Sequence, residues 1–208
     1  MQFSTLTLRT SDGLALRGDL AVPEHCIGAA VVCHPHPLYG GDRLNPVVTA
    51  VVQAFHGAGL ATVRFDFRGV NESEGTHGNG VDERLDAIAA LEVAATQAGD
   101  GLLVMAGYSF GSMVALDVDD PRISGWLAVA PPLGMMKGTP SSAGDVRPKC
   151  LVVPEHDQYS APDATRAGSA SWTSSEVQVV PMADHFLAGR TALVGELAAA
   201  FVSALAGR

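Results

Sequence analysis

One turn constrains this chain more than any other stretch: Gly107-Tyr108-Ser109-Phe110-Gly111. The apolar run Leu102-Leu103-Val104-Met105-Ala106 precedes it, and the helix-compatible run Met113-Val114-Ala115-Leu116 follows. A serine between two glycines at a strand-to-helix turn reads as a nucleophile elbow, a strained turn that lifts the hydroxyl clear of a sheet. Glycine is needed on both sides where a Cβ would meet a neighbouring strand or helix. With 23 glycines in 208 residues, the pattern arises by chance in roughly 0.1–0.2 of such chains, so it needs support from elsewhere. On the five residues alone, an ordinary glycine-flanked βα turn explains it equally well.

The rest of the chain supplies a sheet for the turn. Residues 3–10 and 14–22 alternate apolar with polar around Asp12-Gly13, a hairpin signal. Residues 27–33 form an unbroken apolar run, as a strand buried on both faces requires. A loop follows, His34-Pro35-His36-Pro37-Leu38-Tyr39-Gly40-Gly41. Asn45-Pro46 then opens a helix with cap and first-turn proline in place, and Val47, Val48, Val51, Val52 and Phe55 form its stripe. Strands are expected at 60–67, 102–107, 123–130, 150–153 and 176–180. Helices are expected at 81–95, with Val81, Leu85, Ile88 and Leu91 on one face, and at 109–118, 161–169 and 189–206. Residues 133–148 read as irregular. A hairpin followed by alternating strands and helices predicts one α/β domain spanning 1–208. Its sheet has about eight mostly parallel strands with helices on both faces, and 133–148 leaves room for a minimal lid at most.

Composition narrows the partners. A net charge of −9 argues against nucleic acid or an anionic membrane surface. No run reaches the length of a membrane span, and the N-terminus carries no signal-peptide pattern. Cys26, Cys33 and Cys150 are an odd and sparse set. They point to a reducing, cytoplasmic setting without a disulfide framework. A homodimer is compatible with all of this.

A serine hydroxyl needs an adjacent base, and the base an orienting acid. Such groups gather beyond the carboxyl ends of parallel strands. Asp157 follows the strand at 150–153 and His185 the strand at 176–180, so Ser109, Asp157 and His185 reach one edge in the order nucleophile, acid, base. Glu155 rivals Asp157 for the acid. Asp157 taken alone serves as well as a turn or cap residue, His156 flanks the acid, and Asp184 reads as a loop carboxylate. Acyl transfer also needs backbone N–H groups for the developing oxyanion. Phe110 follows the nucleophile and supplies one. The loop after residue 33 supplies the other, from His36, Leu38, Tyr39, Gly40 or Gly41, because prolines have no N–H. His36 leads by position, with Leu38 second. The imidazoles of His34 and His36 are expected to hold the loop. Tyr39, Tyr108, Met135 and Met136 are expected to line an apolar pocket for short acyl groups. His34, His36, His156, Asp157 and His185 are also metal-ligand types, but no zinc-type spacing joins them; no metal or cofactor is expected.

The elbow, His34-Pro35-His36-Pro37 with Gly40-Gly41, Arg64-Phe65-Asp66-Phe67-Arg68-Gly69 and Ala183-Asp184-His185-Phe186 together resemble the α/β-hydrolase superfamily. The likeness covers nearly the whole chain. It falls in the small lidless branch related to dienelactone hydrolases and acyl-peptidase-like hydrolases. Asn71 stands where that group usually has a second glycine, and Pro154-Glu155 replaces the glycine that commonly precedes the acid. The resemblance implies a cofactor-independent serine hydrolase acting on small acyl substrates such as esters, thioesters or small amides. An amidase or peptidase on the same residues, and a binding protein that keeps the fold, are the alternatives.

Overall fold

The hairpin forms as the sequence requires. β1 (Ser4–Arg9) and β2 (Ala15–Ala21) pair antiparallel, and the Gly13 N–H donates to the Thr10 carbonyl at 3.0 Å across the turn. A computed structural model describes residues 1–136 and 138–207. After the hairpin come β3 (Gly28–Cys33), α1 (Pro46–Gly57), β4 (Leu60–Phe65), α2 (Glu83–Ala98) and β5 (Leu102–Tyr108). The chain continues through α3 (Phe110–Leu116), β6 (Gly125–Val129), β7 (Lys149–Pro154), α4 (Pro162–Gly168), β8 (Ser175–Val180) and α5 (Thr191–Ala206). The eight strands make one sheet in the order β1-β2-β4-β3-β5-β6-β7-β8. β2 joins β4 antiparallel, and every pairing from β4 to β8 is parallel. This is the α/β-hydrolase arrangement, and it carries the ends of β3, β5, β7 and β8 to one edge.

The inner strands are buried along their whole length but for Leu102 at the start of β5, which is why they read as continuous apolar runs. One core cluster packs Leu91 of α2 and Val114 of α3 against Val31, Met105 and Leu151. The other packs Phe55 of α1 and Phe201 of α5 against Val32, Val104 and Val152. In α1 the Asn45 side chain accepts the Val47 N–H at 2.9 Å, and the five expected stripe residues are all buried. Each such side chain contributes about 1.5–3 kcal/mol.

α2 departs from expectation. It starts at Glu83, and Val81 ahead of it is exposed. Leu85 and Ile88 are only half-buried, while Glu83 and Asp86 are fully buried. The acids turn inward because partners wait there. Asp86 accepts from the Arg68 N–H at 2.9 Å and from its guanidinium at 2.7 and 3.0 Å. Glu83 accepts the N–H groups of Gly78 and Gly80 at 2.8 and 2.7 Å. Paired and hydrogen-bonded carboxylates tolerate burial that isolated ones do not.

Candidate active site

Ser109 sits between β5 and α3 with φ 52° and ψ −120°. A non-glycine residue held at positive φ carries about 1–3 kcal/mol of backbone strain. Its N–H donates to the Val129 carbonyl at 2.8 Å, and its carbonyl accepts the Ser112 N–H at 2.9 Å. The two glycines are sterically required. A Cβ at Gly107 would run into the Gly111 backbone, and one at Gly111 into the carbonyls of Cys33 and His34.

The three expected side chains meet. Ser109 Oγ lies 2.8 Å from His185 Nε2, and His185 Nδ1 lies 2.8 Å from Asp157 Oδ2. The other oxygen of Asp157 accepts the N–H groups of Tyr159 and Ser160 at 2.8 and 3.0 Å. Asp157 and His185 are buried. An Nδ1–H donated to Asp157 leaves the Nε2 lone pair facing the serine hydroxyl. The His185 backbone is pinned as well: its N–H donates to Gln158 Oε1 at 3.2 Å, and its carbonyl accepts from the Tyr108 hydroxyl at 2.9 Å. The Tyr159 ring meets the His185 ring edge-on at 4.5 Å.

The rival acids lie elsewhere. Glu155 is exposed and accepts the Met182 N–H at 2.7 Å. Asp184, also exposed, accepts the Phe186 N–H at 3.0 Å. His156 is exposed beside Glu155. Among the described residues, no three His, Cys, Asp or Glu side chains converge as a metal site would need.

The loop after β3 separates its own N–H groups. Leu38 donates to His36 Nδ1 at 3.2 Å. Tyr39 and Gly41 donate to the His36 carbonyl at 3.1 Å each, and Gly40 donates to the Pro37 carbonyl at 3.3 Å. Among the described residues, the N–H groups of His36 and Phe110 donate to nothing, and both residues line the cleft that holds Ser109. Leu38, the second candidate, is thereby engaged inside its own turn and does not line that cleft. His34 holds the loop from below. Its Nδ1 meets the Pro35 carbonyl at 2.6 Å, and its Nε2 accepts the Phe67 N–H at 3.0 Å. Burial pushes its pKa down to about 4.

The cleft encloses about 340 Å³. Tyr39, Tyr108 and Met135 line it as expected. Met136 does not: the short 3-10 turn Leu133–Met135 points it into a neighbouring cavity with Leu133 and Trp172. Tyr108 is almost wholly buried, so its larger role is the hydrogen bond to the His185 carbonyl. Sequence reasoning missed Met113, Tyr159 and Phe186 in the lining. Met113 was recoverable, because it lies four residues after Ser109 on the same helical face. Among the described residues, no lysine, arginine or carboxylate lines the cleft.

No protein-family model matches the chain. An uncharacterized protein of Rickettsia prowazekii is 37% identical over 107 residues; the match covers 50% of this chain and spans just 45% of that protein's length. A solved lidless α/β serine hydrolase from Xanthomonas campestris is 25% identical with a TM-score of 0.85, covering 98% of this chain and 94% of that one. An α/β serine hydrolase homologue from Coxiella burnetii is 30% identical with a TM-score of 0.88, covering 97% of this chain and 98% of that one. Likeness at that identity across both whole chains joins the geometry of the elbow in a single conclusion: the protein belongs to the α/β serine hydrolases.

Proposed function

We propose that the protein is a single-domain, capless carboxylesterase that cleaves small, uncharged acyl esters or thioesters through an acyl-enzyme. The observation that carries this reading is the continuous hydrogen-bonded chain Ser109–His185–Asp157 opening into an apolar cleft. Ser109 Oγ attacks the carbonyl carbon while His185 Nε2 takes the hydroxyl proton. Asp157 holds the imidazole tautomer and stabilises the imidazolium. The oxygen that becomes negative is held by the N–H groups of His36 and Phe110, whose lack of protein partners supports the assignment. As the tetrahedral intermediate collapses, His185 returns the proton to the departing alcohol. A water then loses its proton to His185, attacks the acyl carbon and releases the acid, and Ser109 regains its hydrogen.

Tyr39, Phe110, Met113 and Met135 supply apolar walls, which supports an uncharged acyl group. The test is fluorophosphonate labelling joined to a panel of p-nitrophenyl esters of increasing acyl length. Labelling confined to Ser109 and loss of about a million-fold in turnover for Ser109→Ala are expected. Full turnover in a pure Ser109→Ala sample would sink the mechanism, and a clear preference for long chains would contradict the assigned pocket size.

A further inference from the structure

His77 belongs to none of the chemistry above, and it is not among the residues lining the cleft. It sits in the loop between β4 and α2 with its side chain only 9% exposed. Its ring centroid lies 4.9 Å from that of His36 and 5.5 Å from that of Phe110. The His36 and Phe110 rings are themselves 4.9 Å apart. Three rings from three separate segments thus pack as one group. Two of them belong to cleft-lining residues whose N–H groups have no partner among the described residues.

The third ring packs against a buried acid. His77 Nδ1 lies 2.7 Å from Oε1 of Glu83, whose side chain is fully buried, but without the angles of a hydrogen bond. The same carboxylate accepts the Gly78 and Gly80 N–H groups at 2.8 and 2.7 Å, fixing the loop on both sides of its tip. A buried carboxylate is costly unless it is fully bonded, so these contacts explain why Glu83 turns inward. Phe110 continues the stack into the core, meeting Phe67 edge-on at 5.6 Å. His77 is therefore packed between Glu83 and the two rings. It touches the β3 loop through His36 and the elbow through Phe110.

We propose that His77, seated on Glu83, is a positioning residue that sets the spacing of the two oxyanion donors, His36 and Phe110. This rests on the esterase reading above. Aromatic pairs at these separations favour tilted geometries and contribute about 0.5–1.5 kcal/mol each. Such a packed group resists the small displacements to which oxyanion stabilisation is sensitive. Burial, and next the His77 imidazole, lower the pKa of the His36 ring. That direction agrees with Nδ1 accepting the Leu38 N–H.

The experiment compares the parent protein with His77→Ala, His77→Phe and Glu83→Gln. For each it measures the rate and the end point of fluorophosphonate labelling at Ser109, and kcat and KM on p-nitrophenyl acetate. His77→Ala is expected to lower the labelling rate and kcat together by about ten- to a hundred-fold, the scale of a displaced oxyanion donor. Its KM and labelling end point should hold. A purely structural defect would instead lower the end point, as inactive protein accumulates. His77→Phe keeps a ring between His36 and Phe110 and is expected to recover most of the rate; Glu83→Gln should fall between the two. Parental rates in His77→Ala, or equal losses in His77→Ala and His77→Phe, overturn the inference while leaving the esterase reading intact. If His77→Ala does not fold, His77→Phe and Glu83→Gln decide: parental rates in Glu83→Gln, or an alanine-like loss expected above appearing in His77→Phe, overturn it. A parent protein that takes no label at Ser109 overturns both.

Discussion

The backbone N–H of Leu38 donates to the Nδ1 of His36 at 3.2 Å, so one residue of the loop closes on the side chain of another and leaves the second residue's own N–H open. His36 has φ −54°, a value that proline also adopts. That coincidence permits a clean test of the donor. His36→Pro removes the N–H with little demand on the backbone, while His36→Ala keeps it. We expect His36→Pro to lose about 10²–10³ in kcat beyond whatever His36→Ala loses. Equal activities in the two variants would remove His36 from the oxyanion site.

The acid is tested by pairing two carboxylates. Asp157→Asn keeps the size of the side chain but no longer holds the His185 tautomer, and about 10⁴ in kcat should go with it. Glu155→Gln touches only the exposed contact to the Met182 N–H and should leave kcat within about twofold, as a surface change does. A reversed order of losses would transfer the acid's role to Glu155.

Gly111 carries a structural prediction. Its missing side chain makes way for the carbonyls of Cys33 and His34. Gly111→Ala forces the elbow away from β3 and should destabilise the fold by about 1–3 kcal/mol or more. Urea unfolding read by tryptophan fluorescence gives the number. A midpoint equal to the parent's would mean that the strands tolerate the extra methyl.

His34 makes stability depend on pH. Its pKa drops from 6.5 to about 4 on burial, and it must be neutral to accept the Phe67 N–H. Above pH 6.5 neither folded nor unfolded chain protonates it. Between pH 6.5 and 4 the unfolded chain binds a proton that the folded one refuses, so stability falls as pH falls, by up to about 3 kcal/mol. His34→Gln cannot titrate and should show a shallower loss across that window. Parallel profiles for the two proteins would remove His34 as the cause.

The strands and the order Ser109, Asp157, His185 were legible because apolar runs and turn residues are local signals. The face of α2 was not. A periodicity argument assigns Glu83 and Asp86 to solvent, since it cannot see that Arg68, Gly78 and Gly80 arrive from the preceding loop to receive them. Met136 failed for another reason, whereas Met135 does line the cleft. They are neighbours in sequence, but the turn at Leu133–Met135 sends them to separate cavities. Position after the strand favoured His36 as a donor; that the neighbouring N–H groups bond within the turn is a feature that spacing alone does not reveal.

The pairing of Cys33 with Gly107 across β3 and β5 has a consequence for how such a protein diversifies. The loop bearing His36 and the turn bearing Ser109 leave adjacent strands at matched rungs, so their separation is inherited from the ladder of the sheet. The side chains that line the cleft, among them Met135, Tyr159 and Phe186, hang from segments beyond that ladder. A lineage, or a designer, can therefore rewrite the walls of the cleft and keep the reactive corner in register.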